Sequence, residues 1–157
     1  MKRETQAQRL AQMVQNQTNY PAYELALPPV KVRKSKLKKL RIDDVLLTGF
    51  DTLDFVLIEG KKVCAKTVLG YVGNIPKIEI VQLCKDTIGN PENKKYKTLQ
   101  CSFGTVKSKV LEVEHTIDIA HMGLEEVTLR SEGETIAKGI LVNVDEEIAI
   151  QIKKVIR

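Results

Sequence analysis

The chain has 157 residues, of which 43% are hydrophobic and 29% charged, proportions of an ordinary globular protein that exclude collagen-like, wholly disordered and disulfide-scaffolded classes. No apolar run approaches the roughly 20 residues that a helix needs to cross a bilayer, and the start Met1-Lys2-Arg3-Glu4-Thr5-Gln6 lacks the apolar stretch of a secretory signal, so a soluble, cytoplasmic protein is expected. The net charge of +5 divides into +6 over residues 1–50, +4 over 51–110 and −5 over 111–157, a polarity that favours docking of complementary surfaces over uniform coating of nucleic acid.

Residues 4–16 are helix formers with Leu10, Met13 and Val14 at i, i+3 and i+4, a stripe too short to hold an isolated helix. The reading is therefore a short helix held by a partner surface or a disordered tail, with Leu10, Met13 and Val14 as candidate docking residues. Asn19 to Pro29 carries three prolines and is expected to be an extended connector. The run from Lys31 to Arg41 places seven basic groups in eleven positions without an acid. Lys34, Lys36, Lys38 and Lys39 in it are candidates to meet phosphates or an acidic protein face such as Glu125-Glu126 or Asp145-Glu146-Glu147, the other reading being a solvated connector.

From there short strands follow. Leu53 to Ile58, the turn Glu59-Gly60-Lys61-Lys62 and the return Val63 to Leu69 read as a hairpin, and Ile78, Ile80, Val81 and Leu83 begin another strand after Gly73-Asn74. Gly89 to Lys95 concentrates breakers and charge and is the best internal boundary. Beyond it Leu99, Cys101 and Phe103 alternate with polar residues. Leu124 to Leu129, the turn Ser131-Glu132-Gly133-Glu134, Thr135 to Val144 and Ile148 to Ile152 then repeat the earlier order.

An offset of 71 pairs Leu40 with Leu111, Ile42 with Val113, Leu53 with Leu124, Val56 with Val127 and Ile58 with Leu129. Small turn-length changes then align Gly60 with Gly133, Lys66 with Lys138, Ile78 with Ile148 and Ile80 with Ile150. Two copies at this spacing are not a solenoid. Each unit of about 60 residues is marginal alone, so the two are expected to share one core. The expected organisation is a tail and connector over 1–29, a first module over 30–88, a linker over 89–95 and a second module over 96–157.

Leu40-Arg41-Ile42-Asp43-Asp44-Val45-Leu46-Leu47, Asp51-Thr52-Leu53, Glu59-Gly60-Lys61, Gly73-Asn74 and Ile78-Glu79-Ile80 resemble the C-terminal domain of flagellar motor switch proteins, the SpoA or surface-presentation-of-antigens family. Glu132 to Val142 and Ile148 to Ile152 are similar to the same pattern, so the resemblance covers roughly residues 30–157. It departs at Asp43, where the family often has Gly, and at Glu114-His115-Thr116-Ile117, which lacks the Gly-Asp-Val signature. The resemblance implies a mainly β fold of two small SpoA-like modules intertwined into one pseudo-twofold body. It also implies a non-enzymatic part of a flagellar switch or type III secretion ring at the inner face of the cell membrane, with other ring proteins and copies of itself as the partners to expect.

The chemistry agrees with that expectation. Cys64, Cys84 and Cys101 form no C-x-x-C pair, and neither a Walker loop nor G-x-S-x-G is present. His115 and His121 flank Asp118 but fall short of a zinc ligand set, so no catalytic, cofactor or metal residue is expected. Glu125 and Glu126 join the candidate partner-binding residues. The alternative is a small β-barrel nucleic-acid binder using Lys31 to Arg41; aromatics at 4% without Trp supply few stacking platforms for it.

Overall fold

A computed structural model describes residues 20–89 and 95–156; residues 1–19, with Leu10, Met13 and Val14, lie outside the described residues. The described chain is mainly β. Its strands are β1 (Ala22–Ala26), β2 (Val30–Arg33), β3 (Val45–Phe50), β4 (Val56–Glu59), β5 (Lys62–Val72), β6 (Ile75–Thr87), β7 (Tyr96–Lys107), β8 (Thr116–Asp118), β9 (Glu126–Ser131), β10 (Glu134–Val144) and β11 (Glu147–Val155), with one short helix α1 (Lys34–Lys38) after β2. All pairings are antiparallel, in the order β3-β11-β10-β9-β7-β1-β4-β5-β6-β8, with β2 beside β7.

Read inward from its two ends, that order pairs each first-half strand with its second-half counterpart: β3 with β8, β6 with β11, β5 with β10, β4 with β9 and β1 with β7. The pseudo-twofold axis runs between β1 and β7. The irregularities repeat as well. In β5 the bulge passes from Lys66 to Thr67 against β6, and in β10 from Lys138 to Gly139 against β11, 72 positions on. Cys64 is the extra residue of the β4–β5 pair and Ile136 that of the β9–β10 pair, again 72 apart.

Before the hairpins the offset is 71. Asp43 and Glu114 both have φ of 75°. Asp43 N–H donates to the Ile152 carbonyl at 2.7 Å and Ile152 N–H to that of Asp44 at 2.8 Å, while Glu114 N–H donates to Ile80 at 2.8 Å and Ile80 N–H to His115 at 2.9 Å. Each half thus lends its first strand to the closing strand of the other. β3 lies on β11 and β8 on β6.

From the first hairpin onward the offset is 72, which keeps Lys66 with Lys138 but moves the partners of Val56, Ile58 and Gly60 by one residue and those of Ile78 and Ile80 by two from the expected pairs. Phe55 corresponds to Val127 and Leu57 to Leu129, Gly60 to Glu132, and Ile78 and Ile80 to Ile150 and Ile152. The cause is β4, whose Phe55 and Leu57 enter the main core while Val56 and Ile58 enter a second cluster with Ala26 and Val63. A strand buried on both faces shows no alternation to fix its phase.

The segment expected as a connector is instead the centre of the sheet. Tyr23, Leu25, Ala26 and Leu27 are buried, and β1 joins β4 on one side and β7 on the other. Pro21, Pro28 and Pro29 bound the strand instead of interrupting it, because proline has no N–H to give a ladder. The main core draws on both halves, from Leu25, Leu57, Ile78 and Ile80 to Leu99, Leu129, Ile150 and Ile152. Phe55 and Phe103 meet edge to face at 5.2 Å across the halves.

Candidate interaction surface

Cross-strand partners share a sheet face, so the registers show what each face presents. On β3, β11 and β10, Leu46, Ile150 and Leu141 turn inward to the core. The opposite face carries Leu47 beside Ala149 and Ala149 beside Val142, with Val45 beside Gln151, Gln151 beside Ile140, and Val144 beside Glu147. Leu47 is 54% exposed and Val45 38%, and Ala149 between Leu47 and Val142 is buried. The result is an apolar face whose two outer residues come from the first half and the rest from the second.

Acidic residues edge this face. Glu126 pairs with Ile140, the Glu125 carbonyl accepts the Leu141 N–H at 3.0 Å, and Asp145-Glu146-Glu147 forms the β10–β11 turn. The counterpart face on the first half is different: its matching positions are Thr116, Asp118, Lys77, Val68, Gly70 and Val72. Val68 and Val72 keep the counterpart face partly apolar, but Thr116, Asp118 and Lys77 stand where the other half has Val45, Leu47 and Ala149, so the fold is symmetric and its surface is not.

The basic candidates fall elsewhere. Lys34 is half-buried and Lys36, Lys38 and Lys39 exposed on α1, whose last turn places Lys36 and Lys38 at the negative end of the short helix. Lys34, Lys38 and Lys97 line a cavity of about 330 Å³ with Leu37, Leu40, Ser131, Ile136, Val155 and Ile156. Ser131 ends β9 and Glu126 begins it, so the lysines and Glu125-Glu126 lie at opposite ends of that strand and do not form one site. Lys97 reaches Glu132 at 3.9 Å, and Arg33 stands over the Tyr96 ring at 5.9 Å. The remaining tyrosines do not gather beside α1: Tyr23 is in the core and Tyr71 is at the far end of β5.

A groove of about 610 Å³ on the first half is lined by Pro28, Val56, Val63, Val68, Val81 and Ile88, with Lys31, Lys66, Asp54 and Asp86. Among the described residues no group of three or more His, Cys, Asp or Glu side chains is placed to hold a metal ion. Glu24 on β1 bridges the halves, its carboxylate accepting from Arg130 Nη1 at 2.8 Å and from Gln100 Nε2. Among the described residues no helix is long and apolar enough to cross a membrane.

The thiols report on packing. Burial pushes the Cys101 thiol up to about 12, and burial followed by the Asp86 carboxylate raises that of Cys84. Because the folded state holds the Cys101 proton where the unfolded chain loses it near 9, this contribution is complete below pH 9 and is lost as pH climbs toward 12. Thiol labelling at pH 8 is expected to leave Cys101 unmodified until denaturant unfolds the chain; rapid native labelling would contradict its place in the core.

No protein-family model matches the chain, and no curated protein matches it.

Proposed function

We propose that this protein is a non-enzymatic assembly module that works through protein contacts, as a component of a flagellar motor switch ring or a type III secretion platform on the cytoplasmic side of the membrane. The observation that carries the reading is the apolar face of Val45, Leu47, Ile140, Val142 and Val144, which is continuous on one half, whereas on the other Thr116 and Asp118 replace its first two residues and Lys77 stands at its centre. A sheet buried on its inner side has no folding need for apolar residues on its outer side, and such a patch with a charged edge is the usual form of an interaction surface. The motif resemblance of residues 30–157 names the kind of assembly, and the acidic edge sets orientation and partner choice more than affinity.

Leu47→Asp with Val142→Asp is expected to cut retention of ring proteins by the tagged chain in its native cell by about tenfold or more, as for loss of a central apolar anchor. Both positions face away from the core, so the melting temperature should stay within a few degrees. Unchanged retention would contradict the reading. The second reading, nucleic-acid binding, rests on the cations of α1; it requires binding that weakens steeply with salt and falls when Lys34, Lys36 and Lys39 become alanine.

A further inference from the structure

The described chain begins at Tyr20, and 19 residues precede it. Their charges are Lys2, Arg3 and Arg9 against Glu4, and their apolar residues Leu10, Met13 and Val14 are spaced i, i+3 and i+4. The acid-edged face is complementary on both counts: Val45, Leu47, Ile140, Val142 and Val144 for the stripe, Glu126 and the Asp145-Glu146-Glu147 turn for the cations. We infer that the face is covered in cis by residues 1–19 of the same chain, with Leu10, Met13 and Val14 against the apolar positions and the basic residues toward the acidic edge.

Register shows that the tail starts in the right place. One row across the sheet runs Ala26, Ser102, Thr128 and Lys138. Four residues along from Ala26 is Ala22 at the start of β1, and four along from Lys138 is Val142. The tail therefore enters level with the middle of the face, three strands away, a lateral distance of about 14 Å at the usual strand spacing. The six residues from Val14 to Tyr20 span up to about 20 Å when extended. The counterpart face, with Lys77 and Asp118 at its centre, offers no such match. A ring partner on the same face would compete with the tail; that competition rests on the assembly reading, whereas the cis contact does not.

Methyl NMR of the full chain and of a chain lacking residues 1–19 tests the contact. Deletion is expected to shift the methyl signals of Val45, Leu47, Ile140, Val142 and Val144 and to leave those of Val68 and Val72 in place. Leu10→Glu with Met13→Glu should produce the same shifts without any truncation. A synthetic peptide of residues 1–19 should reverse them in the deleted chain, binding about tenfold more weakly to Glu126→Lys with Glu147→Lys. Unmoved methyls overturn the inference, as does a peptide that shifts both faces alike. Shifts that depend on protein concentration also overturn it, by assigning the tail to a second copy. A tail contact seen in a protein that retains no ring component would leave this inference standing and remove the assembly reading.

Discussion

Gly139→Ala is expected to be among the most destabilising single-methyl changes in this chain. A Cβ at Gly139 would stand 2.5 Å from the Gln151 carbonyl oxygen and 2.8 Å from Ile150 Cγ2. The oxygen belongs to the backbone of β11, which is held on its other side by β3, so it has no room to retreat and the ladder must open. Overpacking of this kind costs about 3 kcal/mol, which for a chain of this size lowers the melting temperature by about 10 °C. The counterpart Thr67 carries a side chain without difficulty, donating its hydroxyl to the Phe55 carbonyl at 2.9 Å, so Thr67→Ala should cost clearly less. Thermal melts followed by circular dichroism decide it; an unchanged melting temperature for Gly139→Ala would contradict the close approach of β10 and β11 at this bulge.

Phe55→Ala is expected to cost about 3 to 5 kcal/mol, the range for deleting a fully buried ring. Phe55 has no exposed surface, and its ring meets Phe103 of the other half. A double-mutant cycle with Phe103→Ala should show coupling of about 0.5 to 1.5 kcal/mol from the ring pair itself. Additive effects in denaturant titrations would mean that the two rings do not meet.

Much of the fold is written in local pattern. The turns at Gly60 and Gly133 do close hairpins, because positions free to take positive φ sit between apolar strands. The order of strands in the two halves repeats as their sequences suggest. What local pattern cannot show is the phase of a strand buried on both faces, as in β4, or the central place of β1, where the alternation of Tyr23, Leu25 and Leu27 is overshadowed by flanking prolines. Helix α1 hides in a lysine run and holds a single apolar residue, Leu37, which gives no stripe.

The candidate site is less legible for a related reason. Glu125 and Glu126 stand out as an acidic cluster, but the apolar face they edge is assembled from Val45 and Leu47 of one half and Ile140, Val142 and Val144 of the other. Those residues are about a hundred positions apart in sequence and become neighbours only because β3 crosses onto β11. In a strand, alternation tells which residues share a face; it does not tell which strand lies alongside.

The exchange of first strands and the shared core make one claim together: neither half is a folded unit by itself. Separate expression of residues 1–89 and 95–157, followed by melting and mass measurement of each and of their mixture, tests it directly. The expected result is no cooperative melt for either piece as a monomer and recovery of a native-like spectrum in a 1:1 complex. A half that melts cooperatively as a monomer would contradict it.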